Sequence, residues 1–253
     1  MKVILLTFFF VILTSCGGRN EDYLGNNIEL WKESEIWDFA KYVSKHQFMK
    51  AEQVLTQKSL NIDYREPKYG ETLLSWAVLN NDIPAVKFLV NHGADPNKHN
   101  TYNGESPILD AAGEFNSAEV LEYLLEHGGN PNDYVKEHEI LSHGRSVKTP
   151  LIAASFISLE KTKMLVQAGA DANFSVEPGH TAYLQAALRL KMDILEYLLS
   201  NCKIDYCKTY IVTIDTKDTL YLKDLIIKNR VAYRQDSITV KRITDSILVQ
   251  AIK

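Results

Sequence analysis

Positive charge is not in excess in this chain: 28 Lys and Arg stand against 32 Asp and Glu, a net charge of −4 over 253 residues. That balance offers no basic footprint to phosphates, so nucleic-acid binding is set aside. Cysteine is scarce as well. Three cysteines cannot build a disulfide scaffold, and none lies in a CxxC pair, so no zinc site is expected. With 45% hydrophobic and 24% charged residues, a disordered tail, a collagen-like fibre and a multi-span membrane protein are excluded. The G-x-S-x-G, P-loop and G-x-G-x-x-G motifs are all missing. An enzyme is therefore disfavoured, and neither a catalytic residue nor a cofactor is expected.

What is present begins at the N-terminus. Lys2 precedes a run, Val3 to Leu13, that is apolar except for Thr7. As a helix this run spans about 16 Å, roughly half a bilayer core, too short for a permanent anchor. The pattern is that of a secretory signal over residues 1–15. Leu13-Thr14-Ser15-Cys16 resembles the bacterial lipobox. That resemblance implies lipidation of Cys16, attachment to the membrane through the lipid anchor alone, and a cell-envelope location. Gly17, in place of Asp, implies the outer membrane, facing the periplasm. Residues 16–30 are expected to be the lipidated start and a flexible tether, polar and glycine-containing from Gly17 to Asn27. Loss of Lys2 with the signal leaves 27 positive against 32 negative residues, a mature charge of −5.

A repeat then organises the chain. Gly70-Glu71-Thr72-Leu73-Leu74-Ser75-Trp76-Ala77 aligns with Gly104 to Ala111, Val147 to Ala154 and Gly179 to Ala186. The Thr or Ser positions 72, 106, 149 and 181 are spaced by 34, 43 and 32. Apolar helices ending in glycine turns follow the first three, as in Leu89-Val90-Asn91-His92-Gly93-Ala94-Asp95-Pro96-Asn97, and a worn copy around Val54-Leu55 and Leu60 to Asp63 precedes them. These segments resemble ankyrin repeats, with the consensus G-x-T-P-L-H-x-A and a later L-L-x-x-G-A-D-x-N. Thr or Ser caps free N–H groups, proline suits the first helical turn, and Gly93, Gly128 and Gly169 suit a left-handed helix end. Single copies bury no core of their own and must stack. The resemblance implies an all-α solenoid of about five helix-turn-helix repeats over residues 31–206. Residues 207–253 match no repeat. Thr219 to Ile227 and Val240, Ile243, Ile247 and Ala251 carry helical spacing, so a C-terminal helical cap is expected there.

Departures from the template matter. Ser75, Leu109, Ile152 and Leu184 stand where the motif histidine belongs, so its bond between loops is lost or replaced. His92 and His127 precede the glycine turns, where a cation suits a helix C-terminus. The inserted segment 133–144 accounts for the 43-residue spacing; its His138, Glu139 and His143 lack a standard metal-binding geometry, and a solvated loop is expected instead. Cys202 and Cys207 are five apart in a compartment that would be oxidising, which leaves two alternatives, a structural disulfide or two free thiols.

By the same resemblance, loop tips and the inner groove grip other proteins. The template places Tyr69, Glu71, Tyr102, Glu105, Lys148 and His180 at tips, Phe115, Phe156 and Arg189 along the groove, and Tyr134, Lys136 and His138 on the inserted loop. Phe115 and Phe156 have an alternative role in packing between repeats. Small bacterial ankyrin lipoproteins resemble immunity partners of type VI secretion phospholipase effectors. The expectation by analogy is a protein, monomeric when free, that binds and neutralises a secreted toxin. An envelope scaffold or stress-protection factor is the second reading, and an enzyme hidden in residues 207–253 a weaker third.

Overall fold

The computed structural model describes residues 25–135, 149–174, 180–204, 210–212 and 219–221. Five helix pairs follow one another among these residues: α1 (Trp37–Ser44) with α2 (Phe48–Lys58), α3 (Leu73–Leu79) with α4 (Ile83–Asn91), α5 (Pro107–Ala112) with α6 (Ala118–Glu126), α7 (Pro150–Ser155) with α8 (Leu159–Gln167), and α9 (Ala182–Leu188) with α10 (Met192–Asn201). First helices α3, α5, α7 and α9 pack in one row and second helices α4, α6, α8 and α10 in another. Short first helices are possible in α3, α5 and α7 because each has an outside cap and a small inner face. Thr72 accepts from Ser75 N, Ser106 from Leu109 N and Thr149 from Ile152 N. Pro107 and Pro150 occupy the first turn, where no N–H is missed. Ala77, Ala111, Ala112, Ala154, Ala186 and Ala187 are buried between neighbours.

The second helices supply the larger core residues. Leu89, Leu121, Leu124, Leu165, Leu195 and Leu198 are fully buried, one layer after another. Gly93, Gly128 and Gly169 leave α4, α6 and α8 at φ of +93°, +93° and +92°, a region that strains any side-chain-bearing residue. The lost motif histidine is replaced by a polar ladder just beyond these glycines. Asp63 Oδ1 accepts from Asp95 N at 3.0 Å. Asn97 accepts from Asn130 N at 2.7 Å and donates to Gly128 O at 2.9 Å. Asn132 accepts from Asp171 N at 2.7 Å and donates to Gly169 O at 3.1 Å. Asn173 donates to Lys203 O at 2.7 Å. Each rung satisfies backbone groups of the next repeat, which water would otherwise have to reach.

Two expectations are corrected. The tether does not extend to residue 30: Asn26 O accepts from Asn80 Nδ2, Asn27 caps a 3-10 turn over Ile28–Trp31, and Trp31 is fully buried. With Ile28 and Leu30 packed on the core, this turn covers the open end of the first pair. In the C-terminal segment the helical reading fails at Thr219. Strand β1 (Tyr210–Val212) pairs antiparallel with β2 (Thr219–Tyr221), Ile211 opposite Leu220. Short apolar runs do not separate strand from helix by spacing, and the Tyr, Ile, Val and Thr here favour the pleated form. The signal, Cys16 and the remainder of the cap lie outside the described residues.

Candidate functional site

The loop tips are closed by side chains that fold the backbone around themselves. Glu66, 1% exposed, accepts from the backbone N–H groups of Lys68, Tyr69 and Glu71 at 2.7, 2.7 and 3.1 Å. Asn100, 2% exposed, does the same in the next tip: its Oδ1 accepts from Tyr102, Asn103 and Gly104 N–H at 3.0, 3.0 and 3.1 Å. The two tips are then tied together. Asn100 Nδ2 donates to Glu71 Oε1 at 2.8 Å, and Thr101 N donates to Tyr69 O at 3.0 Å. Gly70 lies at φ +71°, and a Cβ there would collide with Thr101. A tip already folded in the free protein loses little entropy on binding.

This arrangement removes two residues from the expected surface. Tyr69 and Glu71 are buried, because Glu71 is spent on Asn100 and the Tyr69 ring meets the Tyr102 ring edge-on at 5.0 Å. Tyr102 and Glu105 remain partly exposed on the tip, as does His180 before α9. Tyr134, partly exposed, lies 5.2 Å from the Phe174 ring. Lys136, His138 and Lys148 lie outside the described residues.

Phe115, Phe156 and Arg189 do not join these tips. They belong to the turns between the two helices of a pair, at the far end of each first helix, so the expected partner-binding set divides between two edges of the array. Four of these turns have three residues, whereas 113–117 has five, and Phe115 is 73% exposed on it. Phe156 packs against the core with the Arg189 guanidinium 4.2 Å over its ring. Beside Phe115 lies an open cleft of about 390 Å³, walled by Glu114 and Asn116 of this turn, Ser158 of the next, Lys161 of α8, and Lys191 of the last turn. Lys161 is 4% exposed and donates to the carbonyls of Ala111 at 2.9 Å and Gly113 at 2.5 Å, closing the C-terminus of α5. Burial brings its pKa down to about 8, opposed by the negative charge of Glu160.

The histidines and the cysteine have structural surroundings. The Nδ1 atoms of His92 and His127 bond the carbonyls of Phe88 and Tyr123 at 2.7 and 2.8 Å, and both rings lie against those same aromatic side chains. Cys202 is a thiol packed on the repeat core. Burial first, and the charge of Asp171 second, push that thiol's pKa up. Cys207 lies outside the described residues.

Glu66, His99, Asn100, Asp133 and Lys161 escaped the sequence reading. Asn100 carried a local signal, an Asx residue shortly before a glycine turn. Lys161 carried none, since it stands among polar helix neighbours and its acceptors are 48 and 50 residues away.

The ankyrin repeats family model, in three copies, matches residues 42–135. Human ankyrin repeat and SOCS box protein 6 is 29% identical over 138 residues, covering 53% of this chain and 31% of that protein. A putative ankyrin repeat protein of Rickettsia felis is 25% identical over 223 residues, covering 87% of this chain and 50% of that protein. The chain thus spans half or less of these relatives' lengths. A solved ankyrin repeat domain from Acinetobacter baumannii superposes with a TM-score of 0.60 at 22% identity, covering 84% of this chain and 97% of that one. Matched residues, stacked helix pairs and glycine-ended second helices agree that the fold is an ankyrin-repeat solenoid.

Proposed function

We propose that this chain is a lipid-anchored, periplasm-facing immunity protein that binds and neutralises a secreted antibacterial effector of the lipase or phospholipase type. Ankyrin repeats mediate protein–protein interaction, and that coarser role is the base of the reading. The observation that carries it here is the row of tips already folded around Glu66 and Asn100, with Tyr102 and Glu105 partly exposed. A preorganised surface that offers Tyr102 as an aromatic anchor suits a tight single partner. The lipobox-like sequence ending at Cys16 supports an envelope location, which is where such an effector would arrive. The test is competition between a strain lacking the gene and its parent. The proposal expects the deletion strain to be poisoned by siblings and restored by wild type, while Cys16→Ser leaves a soluble or unprocessed chain that protects poorly. Equal competition by the deletion strain rejects immunity and favours the envelope-scaffold alternative.

A further inference from the structure

Among the described residues, His99 is the histidine whose two ring nitrogens both lie within hydrogen-bond distance of oxygen acceptors from different segments; the second nitrogen of His92 is 3.8 Å from Glu52 Oε1. Nδ1 stands 2.6 Å from Gly104 O, and Nε2 stands 3.0 Å from Asp133 Oδ1. The other Asp133 oxygen accepts from the Ser106 hydroxyl. The Ser106 oxygen in turn caps α5 through Leu109 N. A carbonyl and a carboxylate can only accept, so both ring nitrogens must carry hydrogen to make both bonds. A neutral imidazole carries one N–H and would leave one acceptor facing a lone pair. The side chains are 16% and 9% exposed, so water is a poor substitute for the lost donor. Among the described residues, the charged groups on these segments are Asp133 after α6, Glu71 on the preceding tip, and Lys98 and Glu105 beside His99 itself. Asp133 bonds the ring directly.

The bonds join two places that bear on binding. Gly104 closes the tip that presents Tyr102 and Glu105, and Asp133 is the root of the inserted segment. We propose that His99 is a positioning residue: as a doubly protonated imidazolium it latches the 99–105 tip to the root of the insertion, and loss of its charge lets the two part. Its bearing on partner binding rests on the reading above; the latch itself is a property of the free protein.

The test is proton–nitrogen correlation spectroscopy of the full chain in detergent micelles, labelled with 15N. Both His99 ring nitrogens should be protonated at pH 7. As pH rises and the ring loses a proton, the amide signals of Tyr102 to Glu105 and of Val135 should move with the same midpoint. Amides of α10 should stay in place. Asp133→Asn should return the ring to a single proton at pH 7, and His99→Gln should abolish the amide step. A singly protonated wild-type ring at pH 7 would overturn the proposal. So would a ring that titrates without moving those amides, or an amide step that survives in His99→Gln. None of these readouts depends on a partner, so they are separate from the competition experiment.

Discussion

The inner repeats and the last helix pair are built from the same template but held in different ways. In α3 and α7 the threonine hydroxyls of Thr72 and Thr149 each accept a backbone N–H at 3.1 Å. Before α9 the equivalent Thr181 is buried, and its hydroxyl has no partner. The turns after α4, α6 and α8 use glycine, whereas α10 ends without one, at Cys202 in extended backbone. Leu190, between α9 and α10, sits at φ +59°, a left-handed conformation that disfavours a bulky side chain. The last pair nevertheless buries Tyr183, Leu184, Leu195 and Leu198 completely. Inner repeats are thus held by local caps and shared core together, and the final pair by core burial with weaker local support. In a stack whose units contact only neighbours, such a unit opens first.

Core truncation should break this comparison most strongly. Leu124→Ala, in the interior, should lower unfolding free energy by about 2–5 kcal/mol through a cavity between α6 and its neighbours. Leu198→Ala should instead produce an early step confined to α9 and α10, visible as faster amide exchange there and little change in α3 to α6. A single cooperative transition in both variants would remove the distinction.

Lys161 gives the comparison a pH axis, because its bonds to α5 belong to the inner repeats. The unfolded chain keeps this ammonium up to the ordinary lysine value of 10.5, while the fold releases the proton near 8. Between those values the unfolded state binds more protons, so stability should rise with pH across that window. Below about 8 the cost of the buried charge is present in full. Denaturant midpoints of Lys161→Met should lack this rise.

Capping is next in size. Thr149→Ala should cost about 1 kcal/mol, whereas Thr181→Val should be neutral or stabilising, since it removes a buried hydroxyl that bonds nothing. Leu190→Gly should raise stability by up to about 1 kcal/mol by relieving the left-handed leucine, less whatever packing that side chain supplies. Chemical denaturation of the three variants ranks them directly.

Phe115→Ala should be the mildest for folding, within about 0.5 kcal/mol, because the ring is 73% exposed. Any loss of partner affinity in Phe115→Ala would place binding on the helix-turn edge. A comparable loss confined to Tyr102→Ala would place it on the tips.

The repeat was legible in sequence because its signals are local. A hydroxyl before a helix, proline in its first turn, alanine on its inner face and glycine at its exit each act within a few residues, and together they set the inner helix pairs. The partner-binding candidates were legible only as residue types at template positions. Whether a tip residue is available depends on what the adjacent tip does with it: Glu71 is consumed by Asn100, 29 residues on, and Tyr69 is covered by Tyr102. Distances of that kind are invisible to a periodic reading.

Local rules written in the sequence thus determined the solenoid, its caps and its chain direction, since backbone hydrogen bonds and helix ends are satisfied over short range. Tertiary structure alone decided that the partner-binding candidates divide between two edges, that Trp31 seals the first pair, and that Thr219–Tyr221 is a strand. It also decided that Lys161 and His99 serve carbonyls and carboxylates of other segments. Those outcomes depend on which polar groups meet when separate repeats stack, and burial makes each such meeting compulsory because an unmet donor or acceptor has no water to turn to.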